Sequence, residues 1–145
     1  MSGNKLDDYT FRFESSKTPE NIYAAILDFR SWWSGLYAEV FEGEANKLSD
    51  EFTFRAGEGV HYSKQKLVDL IPNKKIVWLV TDSNLFFLEN PHEWTGTKIC
   101  FDISKTEDRN QVTFTHLGLV PKNECYKNCA GAWTLYLENL EEKIK

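Results

Sequence analysis

Three histidines and three cysteines are the side chains best suited to acid–base, nucleophilic or metal chemistry in this 145-residue chain. Val112, Phe114 and His116 alternate with polar residues, so the two-residue period of a strand places all three on one face. An imidazole set among rings there, with a reference pKa near neutrality, can orient a ligand carbonyl or exchange a proton. It can equally be a core histidine bonded to a neighbouring hydroxyl or backbone group, since no paired carboxylate or nucleophile accompanies it. His61 falls in a strand pattern and His92 in an irregular stretch; neither has metal-ligand spacing, and both read as solvated. Cys125 and Cys129 stand four apart, on one face of a helix. Two thiolates do not close a tetrahedral zinc site, and a disulfide within one helix is geometrically awkward. All three thiols, Cys100 included, are therefore expected to be unpaired and inert. No nucleophile elbow, phosphate loop or metal motif is present, and no catalytic residue, metal or cofactor is expected.

Rings are the more conspicuous resource. Aromatics make up 14% of the chain, with tryptophan at 32, 33, 78, 94 and 133. Large rigid side chains at that density suit either a ring-filled core or a ring-lined cavity. The facing pattern selects Trp33, Phe54, Trp78, Phe101, Phe114, His116, Tyr126 and Trp133 as candidate ligand contacts. Tyr126 is the polar exception on its helix face, because its hydroxyl can reach a ligand while its ring packs. Of Trp32 and Trp33, one is expected to pack and the other to gate a cavity rim. The Phe86-Phe87 segment, beside Asn90-Pro91, reads as a lid, a dimer contact or a loop folded inward.

These residues need elements to position them. Tyr9 to Glu14 alternates and reads as a first strand with Tyr9, Phe11 and Phe13 on one face. Thr18-Pro19-Glu20-Asn21 supplies an N-cap, a proline at the first helical position and an acid in the first turn, opening a short helix to about Asp28. A second short helix or tight turn follows over 29–37. Strands are expected at 38–44, around Phe52 and Phe54, at 61–70, 75–81, 95–105 and 111–119, with an irregular stretch at 82–93. Tyr126, Ala130, Trp133, Leu137, Leu140 and Ile144 then step by three and four, a helical stripe. Short turns between strands imply antiparallel pairing, and one long helix is left to cover the sheet. The expectation is an α+β domain over 9–145 in which a curved antiparallel sheet grips a C-terminal helix, preceded by a polar extension at 1–8.

Four blocks in this order resemble the helix-grip fold of the START-like superfamily, in the bacterial branch of the family named after the activator of heat-shock protein 90 ATPase. They are Thr18 to Ile26 followed by Trp32-Trp33, Leu67 to Trp78 through Pro72, Val112 to Leu119 through His116, and Gly131-Ala132-Trp133 leading to Leu137 and Leu140. The resemblance runs from Tyr9 to the C-terminus. In one departure, the family usually places glycine directly before the helix tryptophan, where this chain has Ala132.

Composition narrows the function. Seventeen basic against 22 acidic residues leave a charge of −5 without a basic run, which disfavours nucleic acid and anionic membrane surfaces. No apolar stretch reaches the length of a membrane span and the N-terminus has no signal-like segment, so a cytoplasmic monomer or weak homodimer with reduced thiols is expected. The first functional reading is a carrier or sensor holding a small apolar or aromatic molecule between sheet and helix. An enzyme of cyclase or hydrolase type using His116 and Tyr126 is the second. A chaperone- or stress-associated interaction module, implied by the resemblance alone, is the third.

Overall fold

A computed structural model describes residues 8–145, so the expected polar extension lies, apart from Asp8, outside the described residues. The elements are β1 (Tyr9–Ser15), α1 (Pro19–Leu27), α2 (Phe29–Trp32), β2 (Val40–Gly43), β3 (Glu51–Ala56), β4 (His61–Ile71), β5 (Lys75–Leu85), β6 (Lys98–Thr106), β7 (Arg109–Leu117) and α3 (Tyr126–Lys143). Seven strands form one sheet in the order β1-β7-β6-β5-β4-β3-β2, every neighbouring pair antiparallel. The first strand thus closes one edge beside the last, and the others follow as hairpins. Register shifts at Lys64/Gln65 and Leu67/Asp69 interrupt the β4–β5 ladder. Such bulges sharpen twist, which lets the sheet curl around a helix.

Helix α1 opens as the sequence implies: the Thr18 hydroxyl accepts from the Asn21 amide at 3.1 Å, and Pro19 occupies the first turn. Helix α3 buries Cys129, Trp133, Tyr136, Leu137 and Leu140. The Trp133 ring packs 4.6 Å from Phe114 and 4.9 Å from Trp33, and the residue is 2% exposed. The helix-grip arrangement expected from the residue pattern is therefore the observed fold. The buried stripe differs in detail. Tyr136, absent from the expected series, faces the core, whereas Tyr126 and Ala130 are only partly buried.

Strand β5 runs four residues past the expected end, and its last residues pair only with β4. The 86–97 connection leaves the sheet there and is tied to the start of α3. The Glu93 carboxylate accepts from the amides of Glu124 (2.8 Å) and Cys125 (3.0 Å), filling the role of a helix cap. Glu124 in turn accepts from the amides of Glu89 and Asn90. Among the described residues, no helix is long and apolar enough to cross a membrane.

Candidate functional site

His116 sits at the centre of a fixed hydrogen-bond series. The Trp133 indole N–H donates to His116 Nδ1 at 3.0 Å, which leaves the proton on Nε2, 2.8 Å from Thr97 Oγ1. Thr97 Oγ1 donates onward to the Trp94 carbonyl at 2.6 Å. The series joins α3, β7 and the 86–97 connection, and His116 is 0% exposed. Burial, reinforced by His61, lowers its pKa to about 3, so it stands neutral with both nitrogens engaged.

Beside this staple the sheet and helix part, leaving a cavity of ≈ 450 Å³. That is within the range of small-molecule sites, roughly 300–1,000 Å³. Helix α3 contributes Asn128, Cys129, Ala132, Trp133 and Tyr136; β3 and β4 contribute Phe54, Ala56 and His61. Trp33, Tyr37, Gly57, Val60, Phe87 and Trp94 complete the wall from loops. Trp33 is the floor of the ring cluster, stacked 4.6 Å from Phe54 and 6.0 Å from Trp78. Tyr37, Val60 and Phe87 are exposed apolar residues at the mouth.

Polar groups are few and specifically placed. Tyr136 donates to Glu39 Oε2 at 2.5 Å, and the same carboxylate accepts from the amides of Gly35, Leu36 and Tyr37. Desolvation would raise the Glu39 pKa, but these hydrogen bonds together outweigh it and the net shift is downward. Burial and the neighbouring carboxylate push the Tyr136 hydroxyl well above its ordinary value. His61 stands edge-on to Phe54 (5.3 Å) and Trp94 (4.7 Å), and desolvation lowers its pKa to about 4.

Of the residues expected to contact a ligand, Trp33, Phe54 and Trp133 are in the cavity wall. Trp78, Phe101 and Phe114 lie in the filled part of the core, and Tyr126 lies at the start of α3 outside the wall. His116 faces the core, but its neighbours occupy the space a ligand would need. The gate expected of one adjacent tryptophan is not seen: Trp32 and Trp33 are both buried, with the Trp32 indole donating to the Ile26 carbonyl. His61 is not a solvated histidine; its Nε2 is sealed and it lines the wall. Phe87 forms part of the mouth while Phe86 projects into solvent.

The thiol expectation also needs correction. Cys125 and Cys129 are disulfide-bonded, with Cα atoms 5.6 Å apart, and Cys100 alone is free. Cys125 occupies the N-cap position with helical backbone dihedrals, its carbonyl accepts from the Cys129 amide at 2.8 Å, and the 5.6 Å Cα separation across this first turn is one that disulfides accept. Trp94, Tyr136 and His61 were missed as wall residues. Only a tryptophan amid irregular, turn-rich sequence marked Trp94, and nothing local marked the others. No cluster of three or more His, Cys, Asp or Glu side chains suited to a metal occurs among the described residues.

A curved antiparallel sheet closed over one long helix, with a ring-lined gap between them, defines the helix-grip class. Solved structures share it over nearly the whole chain. The solution structure of the Aha1 dimer from Colwellia psychrerythraea matches with a TM-score of 0.72 at 23% identity, covering 94% of this chain and 95% of that one. A crystal structure of a Mesorhizobium loti protein matches at 0.69 and 16% identity, covering 93% and 94%. Another, from Chromobacterium violaceum, matches at 0.68 and 16%, covering 95% and 97%. At these identities the likeness is one of fold. No protein-family model and no curated protein matches the sequence.

Proposed function

We propose that this chain is a carrier or sensor that reversibly binds a small apolar or aromatic molecule between the sheet and α3, without turnover. The observation that carries this reading is the ≈ 450 Å³ cavity walled mainly by rings, with apolar side chains exposed at its mouth. Burial of apolar ligand surface supplies affinity at about 25 cal/mol per Å² before the costs of association. The enzyme reading leaned on His116 and Tyr126, and neither lines the cavity; His116 also has no free nitrogen to exchange a proton.

Ala132 provides the test, because it lines the cavity from α3 and is small enough to be enlarged. A panel of lipophilic probes is titrated while tryptophan fluorescence reports on Trp33 and Trp133. Wild type is expected to bind at least one probe, and Ala132→Phe to abolish that binding while keeping a cooperative unfolding transition. Undiminished binding to the filled variant, or chemical conversion of a bound probe, would defeat the proposal.

A further inference from the structure

The disulfide of α3 lies against the cavity, and its two ends differ in access. Cys129 lines the wall and keeps 5% of its surface exposed, whereas Cys125 is 0% exposed and is not a wall residue. Trp133 and Tyr136, four and seven residues on, share its helical stripe and line the same gap. Inside a helix the backbone is wrapped by its own turns, and beyond Cβ a cysteine carries only sulfur. What Cys129 adds to the wall is therefore chiefly Sγ. The cavity meets solvent past Tyr37, Val60 and Phe87, so a small reagent has a route to Cys129 that it lacks to Cys125.

The bond contributes little to the fold around it. The Cys129 amide already donates to the Cys125 carbonyl at 2.8 Å, so the crosslink closes a turn that the helix closes by itself. The loop-closure entropy that a disulfide removes from the unfolded chain is least for so short a loop. Cys100 gives the contrast. It alternates with the core residues Ile99 and Phe101, which places it on the other face of β6, away from the wall. Burial raises its pKa to about 11, which keeps the reactive thiolate scarce near neutrality.

We propose that Cys129 is a covalent modification site inside the cavity, opened and closed by thiol–disulfide exchange with small uncharged thiols and disulfides. In the opening step a reagent thiolate attacks Cys129 Sγ and the bond to Cys125 Sγ breaks. Cys129 is left in a mixed disulfide with the reagent, and Cys125 leaves as a thiolate that takes up the proton the reagent gave up. A second reagent thiolate attacks the reagent sulfur of that mixed disulfide and frees Cys129, which is protonated in turn. Two reagent thiols have then become one disulfide, and the two electrons they lost have reduced the protein bond. The reverse sequence closes the site. Uncharged reagents are favoured because no Lys, Arg, Asp or Glu belongs to the wall. The proposal needs the cavity but no ligand in it, so it stands or falls apart from the carrier reading.

Two variants separate the sulfurs: Cys125→Ser leaves Cys129 as the unpaired thiol, and Cys129→Ser leaves Cys125. Each, once shown to unfold cooperatively in urea, is mixed at pH 8 with 2,2′-dithiodipyridine, an uncharged ring disulfide whose exchange releases 2-thiopyridone. Cys125→Ser is expected to react roughly tenfold faster than Cys129→Ser, and Ala132→Phe added to Cys125→Ser to slow it by roughly as much. Wild type gives a measurement independent of these variants. After native reduction with dithiothreitol and its removal, sub-stoichiometric N-ethylmaleimide should label Cys129 first, as read by peptide mapping. Equal rates in the two variants, no slowing by Ala132→Phe, a first label on Cys125 or Cys100, or a bond that native dithiothreitol does not open overturns the proposal.

Discussion

Acidification from pH 7 to pH 5 isolates the two buried imidazoles. In the unfolded chain each takes up a proton near the ordinary histidine value of 6.5, whereas folded His116 stays neutral down to about 3 and folded His61 down to about 4. The unfolded state therefore binds more protons throughout this window. The stability these residues contribute is complete above the unfolded value and is lost as the pH falls towards the folded one, by about 1.4 kcal/mol per pH unit for each group. From pH 7 to pH 5 His116 accounts for about 2 kcal/mol, and His61 for about 1–2 kcal/mol because its ring is less completely enclosed. Glu39 has its pKa held below the ordinary 4.5, so its contribution is intact above that value and is lost only at lower pH, outside the window. Urea unfolding followed by tryptophan fluorescence at half-unit pH steps should show wild type losing about 3–4 kcal/mol. His116→Gln, which disturbs the Trp133 bond, should start less stable at pH 7 yet give a profile flatter by about 1.4 kcal/mol per pH unit. Parallel profiles, or an imidazole C2–H resonance of His116 that titrates near 6.5, would refute the reasoning.

Three further outcomes can be checked directly. Gly43 has φ of 100°, and a methyl there would run into the Glu51 carbonyl and lie 2.9 Å from Phe52 Cα, so Gly43→Ala should cost about 2–3 kcal/mol in urea unfolding. Tyr136→Phe removes the 2.5 Å bond to Glu39 and should cost about 1–2 kcal/mol, measured in the same way. Thiol titration in denaturant without reductant should count one reactive group, Cys100, and three after reduction; three at the outset would refute the Cys125–Cys129 bond.

The fold was largely legible because its signals are local. Alternation placed all the strands, the Thr18-Pro19 cap started α1, and the stripe ending at Ile144 laid α3 against the sheet. Errors gathered where tertiary contact decides. The β5 extension to Leu85 has no apolar alternation of its own and is drawn out by pairing with β4. Tyr136 looks like an ordinary helix residue until Glu39, far away in sequence, takes its hydroxyl. The bond between Cys125 and Cys129 lies in the first turn of α3, where Glu93 of the preceding connection accepts from the Cys125 amide, and the four-residue spacing alone did not announce it.

The choice between histidines shows the same limit most clearly. His116 and His61 both occupy inward positions of alternating strands, and a period of two distinguishes faces but not positions along a face. His116 is flanked on both sides, by Tyr9 across β1 and Ile99 across β6, under the part of α3 where Trp133 fills the groove. His61 opens β4 beside the 57–60 turn, paired with Ala56 of β3 and Leu85 of β5, where Asn128, Cys129, Ala132, Trp133 and Tyr136 of α3 line the gap. Ala56 on the sheet and Ala132 on the helix both line the gap, and neither signals it alone. The histidine with the more suggestive sequence context is thus the one whose hydrogen bonds are complete. The one that reads as solvated, because it stands alone without metal-ligand spacing, lines the cavity with its ring and keeps a sealed, unpartnered Nε2.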